Sequence, residues 1–238
     1  HVNNETGVIQ DIEALGAICR ERDVLFHVDA AQSVGKLPLD LASMPVDLLS
    51  TTAHKVYGPK GIGALYISGR PGCRVEALIH GGGQQGGRRP GTLAVPLIAG
   101  FGEAARIARS EMQENHEHLR RLRERLWSGI RDLDGIVRNG TESQTFPGIL
   151  NVSIEDVEGE SLLLSLEPLC VATGSACNSK SQEASSVLRA LGRSDLLAQS
   201  AIRFSFGRPT TSDEADLAVE RYREAVGRLR GIAPGRAA

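Results

Sequence analysis

Three short segments of the sequence carry residues whose types could do chemistry together. They are His27-Val-Asp-Ala-Ala-Gln-Ser33, Ala53-His-Lys55 and Thr173-Gly-Ser-Ala-Cys177. They supply an acid at the end of an apolar run, a histidine–lysine pair and a cysteine in a loop of small residues. A lysine amine can bond covalently to an aldehyde cofactor, and a cysteine thiolate is a strong nucleophile. The set predicts a lysine that holds such a cofactor and a cysteine that attacks what the cofactor has activated.

The presence of Asp29 upstream favours a cofactor-binding role for Lys55. Taken alone, Lys55 is interpreted as a surface lysine after a strand, because an unperturbed lysine amine is a poor nucleophile. Pyridoxal phosphate enzymes, however, place a carboxylate against the ring nitrogen of the cofactor, which keeps the ring protonated and able to accept electrons. Asp29 lies just past an apolar strand and upstream of the lysine, as this role requires. The alternative for Asp29 is the N-cap of a helix.

Thr52 and His54 precede Lys55 with the spacing of a strand. If strand geometry continues to residue 55, their side chains face one side and the lysine faces the other. A hydroxyl and an imidazole could then bind a phosphate while the lysine reaches the aldehyde. The alternative for His54 is ordinary packing or surface exposure.

Arg203 alternates with apolar residues in Ala201-Ile-Arg-Phe-Ser-Phe-Gly207. Such a charge either faces outward or binds an anion, and the planar guanidinium suits the carboxylate of an amino acid. Both interpretations of Arg203 remain open from the residues alone.

The four cysteines differ in their surroundings. The small, polar loop around Cys177 favours an accessible, reactive thiol. Cys19 in a helix and Cys170 in a strand are assigned to the core, and Cys73 to the surface. The absence of a C-x-x-C pair argues against a zinc site, and a disulfide framework is expected of a shorter chain with a higher density of cysteines. This pattern is typical of a reducing cytoplasm.

Composition limits the classes of protein to consider. The chain has 238 residues, of which 41% are apolar and 24% charged, enough for one or two domains with a core. Lys and Arg number 27 against 29 Asp and Glu, which argues against nucleic acid as a direct partner. No apolar run approaches the roughly 20 residues that cross a bilayer. No secretory signal is visible, so we expect a cytoplasmic protein.

Helix and strand patterns alternate over the first hundred residues. A helix is predicted over 11–22 and strands over 24–28, 46–49 and 62–67. This order predicts an α/β domain with a mostly parallel sheet. Functional groups of such sheets collect beyond the carboxyl ends of the strands, where Asp29 lies.

The pattern changes after a long helical stretch over 98–133. The predicted strands that follow are 149–154, 170–172 and 201–206, and the predicted helices are 160–166 and 186–191. The last helix opens with the capping box Thr211-Ser-Asp-Glu214 and should bury Leu217, Tyr222, Val226 and Leu229. We therefore expect one domain over 1–108 and a second over 109–238.

These motifs resemble the cysteine desulfurases of the NifS/IscS type, which are pyridoxal phosphate enzymes of the class V aminotransferase family. The likeness runs from Val2-Asn-Asn-Glu-Thr-Gly7 through His54-Lys-Val-Tyr-Gly-Pro-Lys-Gly61 to Ile202-Arg-Phe-Ser205. The Gly174-Ser-Ala-Cys177 loop is similar to that of the first class of these enzymes. The resemblance implies the aspartate-aminotransferase fold (fold type I). Residues 1–108 would then end the large cofactor-binding domain, and 109–238 would form a small α+β domain carrying the cysteine loop.

The resemblance implies a role for each site residue towards pyridoxal 5′-phosphate. Lys55 would hold the cofactor covalently and later move the Cα proton of the substrate, and Asp29 would pair with the pyridine nitrogen. The other expected cofactor contacts are Asn4 and Gln32 near the ring and its phenolic oxygen, Thr52 and His54 on the phosphate, and Thr92 on the phosphate bound by the partner subunit of a homodimer.

The same resemblance implies the reaction. Arg203 and Asn4 would bind the substrate L-cysteine, and Arg203 would contact its carboxylate. Cys177 would attack the substrate sulfur, giving a Cys177 persulfide and L-alanine. The sulfur would pass to an acceptor, such as a scaffold protein of iron–sulfur cluster assembly.

Two alternatives remain open beside this interpretation. One is selenocysteine lyase or another fold type I lyase, and the other is an inactive fragment that acts as a dimerisation module. The family begins well upstream of His1, so the chain resembles the C-terminal part of such an enzyme. We expect this chain by itself to hold the cofactor weakly or not at all.

Overall fold

The computed structural model describes residues 1–173 and 184–232. The chain divides into two compact units, one made of 1–2 and 10–112 and the other of 3–9 and 113–238. The division after residue 112 lies close to the boundary expected after residue 108. The assignment of residues 3–9 to the second unit was not expected from the sequence.

The first unit contains a three-stranded sheet in the order β1 (His27–Asp29), β2 (Leu48–Thr52), β3 (Gly63–Ile67). The β1–β2 pair is parallel and the β2–β3 pair is antiparallel. The sequence predicted a mostly parallel sheet, but in this unit one of the two pairs is antiparallel. The short connection 53–62 explains this, since parallel neighbours need a crossover of about a dozen residues or more.

Helix α1 (Ile12–Glu21) lies before β1, and Asp11 caps it by accepting the N–H of Ala14 at 2.9 Å. The strand predicted over 24–28 begins later than expected. Val24 is 51% exposed, and its N–H bonds the carbonyl of Cys19 to close the end of α1. The core of this sheet consists of Ile12, Val28, Ala30, Val46 and Leu49.

The chain leaves β2 in a tight turn. Ala53–Val56 is a single 3₁₀ turn that ends at Tyr57 in the left-handed conformation, with φ 66°. Strand geometry therefore does not continue to Lys55, and the condition on which the facing of Thr52, His54 and Lys55 was predicted is not met. The chain must reverse within a few residues to pair β2 with β3, and a strand cannot do so. After β3 the first unit contains helix α2 (Val95–Ser110).

The second unit contains a four-stranded antiparallel sheet in the order β4-β5-β7-β6. The strands are β4 (Ile136–Arg138), β5 (Ile149–Ile154), β6 (Ala172–Thr173) and β7 (Ile202–Ser205). The prediction for β5 is confirmed, and all six of its residues are buried. Strand β4 was not predicted, because its three residues are too few for a clear period.

Five helices accompany this sheet within the described residues: α3 (Met112–Ile130), α4 (Gly159–Ser165), α5 (Ser186–Ala190), α6 (Asp195–Gln199) and α7 (Ser212–Ile232). The one helix predicted over 98–133 is two helices, α2 and α3, with a break at Glu111.

The capping box of α7 is confirmed. The N–H of Thr211 donates to Glu214 Oε2 at 2.7 Å, and the N–H of Glu214 donates to Thr211 Oγ1 at 3.2 Å. Helix α7 buries Tyr222 and Val226 as predicted, whereas Leu217 and Leu229 are only partly buried. Tyr222 and Val226 pack in the core of the second unit with residues of β5, β7, α3 and α4.

The cysteines differ in part from expectation. Cys170 is exposed, because β6 begins only at Ala172 and leaves Cys170 in the connection before it. Cys19 and Cys73 are half-buried. Across residues 1–173 and 184–232, no helix is long and apolar enough to span a membrane.

Candidate cofactor and substrate site

Polar residues of the first unit collect where β1 and β2 end. Asp29 is the last residue of β1 and Thr52 the last of β2, and the two strands run parallel with Asp29 opposite Ser50. The N–H of Ala30 continues the ladder by donating to the carbonyl of Ser50 at 2.9 Å. The carboxyl ends of both strands therefore meet at one edge of the sheet, as the sequence predicted.

The Asp29 carboxylate is exposed and held in place by the backbone that follows it. Its Oδ1 accepts the N–H of Ala31 at 2.9 Å, at the start of a series of hydrogen-bonded turns over 30–37. The carboxylate thus caps these turns and is also accessible at the sheet edge. Residues 30–37 form turns and no helix, so Asp29 is not the N-cap of a helix, and its contact with the cofactor stays a prediction.

Thr52 and His54 are brought together by the turn. Thr52 Oγ1 lies 2.9 Å from His54 Nδ1. This hydrogen bond fixes the imidazole and leaves its Nε2 for another partner. The sequence predicted that the two side chains would act as a pair, but it assigned the pairing to the wrong local geometry.

Lys55 is exposed on a turn that is anchored on either side. Ala53 and Val56 are 0% and 3% exposed, and the N–H of Gly58 donates to the carbonyl of Ala53 at 2.9 Å. The backbone that carries Lys55 is therefore fixed by packing, while the residue itself is exposed.

A second lysine lies close to this group and was not singled out from the sequence. Lys36 Nζ donates to Gln32 Oε1 at 2.9 Å. Burial, together with the positive charge of Lys55, lowers the pKa of Lys36 to about 8. Gly35 lies between the two residues with φ +73°, outside helical geometry, so helical spacing provided no signal for the pair.

The residues at this edge fit pyridoxal phosphate. The cofactor combines an aldehyde, a ring nitrogen that carries a proton, a phenolic oxygen and a phosphate. The first unit offers an exposed amine, an oriented carboxylate, an amide held by a lysine, and a hydroxyl–imidazole pair. Each of these groups has the charge or hydrogen-bonding character that one part of the cofactor needs.

Thr92 lies apart in sequence from these groups. It is exposed in the segment just before α2. Its expected contact with the phosphate of a partner subunit stays a prediction.

Arg203 and Asn4 meet within the second unit. Arg203, on β7, donates from Nη1 to the carbonyl oxygen of Asn4 at 2.8 Å. Its Nε is buried and has no hydrogen-bond partner within the described residues. Asn151 Nδ2 donates to the carbonyl of Glu5 at 3.0 Å, which fixes the same segment. Residues 3–9, the N-terminal segment, are thus attached to β5 and β7.

A buried polar network lies beneath this attachment. Asn139 Nδ2 donates to Asn151 Oδ1 and to Ser153 Oγ, each at 2.8 Å, and Arg193 Nε donates to Asn139 Oδ1 at 2.8 Å. Asn139 is 2% exposed and Asn151 is 1% exposed. The orientation of Asn151 towards Glu5 therefore depends on residues that the sequence analysis did not single out.

Cys177 lies outside the described residues, so its predicted accessibility is an expectation still. The chain that follows is anchored at Ser185, which caps α5 by accepting the N–H of Leu188. Ser185 Oγ also donates to Glu5 Oε2 at 2.5 Å. The N-terminal segment therefore contacts the residue that begins α5 as well as β5 and β7.

Comparison with known proteins identifies relatives over nearly all of the chain. A family model described as "Aminotransferase class-V" matches residues 1–217. A curated protein of Serratia proteamaculans named cysteine desulfurase IscS is 56% identical over 234 residues, which are 98% of this chain and 58% of that protein. The chain thus spans less than two thirds of the length of such relatives.

Solved structures agree with the fold. One described as a NifS-like protein matches with TM-score 0.84 and 38% identity, over 96% of this chain and 60% of that one. Another, described as SspA in complex with cysteine, matches with TM-score 0.72 and 38% identity, over 87% of this chain and 57% of that one. The α/β fold predicted from the sequence is confirmed by these matches.

Proposed function

The chain belongs to the aminotransferase class-V family, and on that premise we propose that it is part of a pyridoxal phosphate-dependent cysteine desulfurase. The observation that carries the proposal is the group at the carboxyl edge of β1 and β2. There Lys55 lies on an anchored turn beside the Thr52–His54 pair, and Asp29 ends the neighbouring strand. The identity with proteins named cysteine desulfurase supports desulfuration over the other reactions of the family.

The residues of the first unit hold the cofactor in this proposal. Lys55 would hold the cofactor covalently at its aldehyde group, Asp29 would accept a hydrogen bond from the protonated ring nitrogen, and Thr52 and His54 would bind the phosphate. Pyridoxal phosphate, when bound, supplies an electron sink for charge that develops on the substrate. Lys55 then serves as the base that moves the proton at the substrate Cα, since it is the exposed amine of this edge.

The residues of the second unit act on the amino acid. Arg203 binds the carboxylate of L-cysteine with the donors that its bond to Asn4 does not use. The Cys177 thiolate attacks the substrate sulfur, so that an S–S bond forms and the C–S bond breaks. The carbon left behind takes up a proton and becomes L-alanine, and the sulfur remains as the Cys177 persulfide. The relative described as bound to cysteine supports this substrate.

The proposal includes a homodimer and a sulfur acceptor. The first unit has exposed apolar side chains, among them Leu78 (97% exposed), Ile79 (69%) and Val95 (65%), which supports a surface covered by a second copy. Thr92, three residues before Val95, would there reach the phosphate bound by the partner. The acceptor is a protein that takes sulfur from Cys177, such as an iron–sulfur scaffold.

The cofactor site is tested by absorbance after pyridoxal phosphate is added. Each measurement is made on this chain alone and on the extended chain, meaning this chain preceded by the N-terminal part of the Serratia proteamaculans relative. We expect weak binding by the chain alone and stoichiometric binding by the extended chain. The near-ultraviolet cofactor band should shift in the unsubstituted protein and not in Lys55→Ala. A shift that survives Lys55→Ala, or no binding by either form, would contradict the proposed site.

The reaction is tested by L-alanine formation from L-cysteine in the presence of a thiol reductant. Cys177→Ser should abolish it, and Cys170→Ser, the matched control at an exposed cysteine, should retain it. Alanine formation that survives Cys177→Ser would exclude transfer through a persulfide. Activity with L-selenocysteine alone would favour selenocysteine lyase, and dimerisation with no activity would favour the dimerisation module.

A further inference from the structure

The bond between Lys36 and Gln32 has a defined local geometry. The two residues lie in two overlapping hydrogen-bonded turns, in which the N–H of Val34 donates to the carbonyl of Ala30 at 3.0 Å and the N–H of Leu37 donates to that of Ser33 at 2.9 Å. Gly35 has φ +73°, so the two turns do not form a regular helix. These turns bring the side chains of Gln32 and Lys36 together. Lys36 Nζ therefore reaches Gln32 Oε1 at 2.9 Å without leaving the turn.

The chemistry of lysine decides which end of the amide faces it. A lysine ammonium carries three donors and no acceptor, whereas a glutamine amide has one oxygen that accepts and one NH₂ that donates. The oxygen of Gln32 must face Lys36, so the NH₂ of Gln32 points away from it. Without Lys36 the amide could rotate by half a turn and present its oxygen instead.

The pair packs beside the turn that carries Lys55. Gly35 has φ +73°, and a Cβ built on it would lie 3.0 Å from Val56 Cγ1 and 2.9 Å from Ala108 Cβ. The backbone before Lys36 therefore packs directly against the residue after Lys55. The proximity also appears in charge, because Lys55 contributes to the lowered pKa of Lys36.

We propose that Lys36 is a positioning residue, which holds the amide oxygen of Gln32 so that the NH₂ of Gln32 donates to the phenolic oxygen of pyridoxal phosphate. The proposal rests on the cofactor site described under the proposed function, and it assigns to Lys36 no contact with the cofactor. With its pKa at about 8, Lys36 is still mostly protonated at pH 7 and keeps its donors there.

The first test measures cofactor affinity in the form of the protein that binds pyridoxal phosphate. Lys36→Met removes the donors, Lys36→Arg keeps donors, and Gln32→Glu keeps an acceptor for Lys36 but has no NH₂. We expect Lys36→Met and Gln32→Glu to weaken binding about five- to tenfold, and Lys36→Arg to restore part of the loss. In a Gln32→Ala background, Lys36→Met should have no further effect.

The matched ligand is 3-deoxypyridoxal 5′-phosphate, which lacks the phenolic oxygen. Lys36→Met should leave its affinity unchanged, because the NH₂ of Gln32 has nothing to bind. Equal weakening for both ligands would mean that Lys36 only supports the fold, and this would overturn the proposal. Unchanged affinity of Gln32→Glu for pyridoxal phosphate would also overturn it, even if Lys36→Met failed to fold. If either result overturned the proposal for Lys36, tight binding of pyridoxal phosphate by the unsubstituted protein would still support the proposed function.

The second test needs no cofactor. The side-chain NH₂ resonances of Gln32, identified by their loss in Gln32→Glu, should shift with pH around a midpoint near 8 as Lys36 titrates. Lys36→Met should remove this shift. Gln32 resonances that are the same in the unsubstituted protein and in Lys36→Met would show that the bond is absent and the proposal wrong.

Discussion

Arg203 donates a hydrogen bond from Nη1 to the carbonyl oxygen of Asn4, 2.8 Å away and separated from it by 199 positions in the sequence. A hydrogen bond from a charged group to a buried acceptor contributes about 1.5–3 kcal/mol. The same guanidinium is proposed to bind the substrate carboxylate. Arg203 therefore has one role in attaching the N-terminal segment and another in binding substrate, and substitutions can separate the two.

Arg203→Ala should lower the free energy of unfolding by about 1.5–3 kcal/mol. Arg203→Lys should recover much of that stability through one donor while still raising the KM for L-cysteine, because it lacks the planar fork. Urea unfolding and steady-state kinetics measure the two effects. Arg121→Ala, at an exposed position on α3, is the control and should change stability by less than about 0.5 kcal/mol. An equal loss of unfolding free energy in Arg203→Ala and Arg121→Ala would contradict a stabilising role for the Arg203–Asn4 hydrogen bond.

Lys36 should make stability depend on pH. Its pKa is about 8 in the folded chain and 10.5 when unperturbed, so between these values the unfolded chain binds more protons. Raising the pH through this window therefore increases the free energy of unfolding. Below about pH 8 the buried amine is charged, and its destabilising effect is then at its largest. From pH 7.5 to 9.5 the gain from this one group is roughly 2 kcal/mol.

Urea unfolding at the two pH values, on the unsubstituted chain and on Lys36→Met, isolates this contribution from the other titrating groups. From pH 7.5 to pH 9.5, the unfolding free energy of the unsubstituted chain should rise by roughly 2 kcal/mol more than that of Lys36→Met. A difference that does not change with pH would show that Lys36 is not buried in the manner described.

Gly35→Ala should destabilise the first unit by roughly 2–4 kcal/mol, since it combines a left-handed backbone with close contacts to Val56 and Ala108. Gly72→Ala is the matched control: φ there is +86°, but nothing lies within 4 Å of an added Cβ. It should cost only the backbone strain, about 1–2 kcal/mol. Thermal unfolding compares the two variants. Similar losses would show that the packing of Gly35 against the Lys55 turn contributes nothing.

Asn139→Ala should cost about 2–4 kcal/mol in the second unit. It removes the partner of Asn151 and of Arg193 and leaves their polar atoms buried. Asn139→Asp keeps the acceptor for Arg193 but loses the donor to Asn151, so an intermediate loss is expected. Calorimetry on the purified variants tests this order. A loss below about 0.5 kcal/mol for Asn139→Ala would mean that water replaces the network.

The sequence identified the residues at the strand ends, because residue type and position at a sheet edge depend on local pattern alone. Asp29 and Thr52 lie where the alternation of helices and strands predicts them. The Thr52–His54 pair was predicted with the wrong backbone, since the 3₁₀ turn at Ala53–Val56 follows from the antiparallel return to β3. The antiparallel pairing of β2 with β3 is a tertiary contact, which a short stretch of sequence does not reveal.

The parts that the sequence did not reveal depend on contacts between distant positions. Asn139 and Asn151 are polar residues of a kind usually placed at the surface, and only the fold makes them buried partners. The attachment of residues 3–9 to β5 and β7 joins positions more than a hundred residues apart. Lys36 likewise resembles any surface lysine until the packing at Gly35 is known.

The membership of residues 3–9 in the second unit has a consequence for biosynthesis. A ribosome releases this segment long before it makes Asn151 and Arg203, which bind the backbone of Glu5 and Asn4. The second unit therefore cannot finish folding as a self-contained stretch of nascent chain, and it must capture a segment synthesised before residues 10–112 of the first unit. Any protease or gene fusion that separates residues 3–9 from the rest would leave the second unit incomplete, although every residue after 112 would still be present.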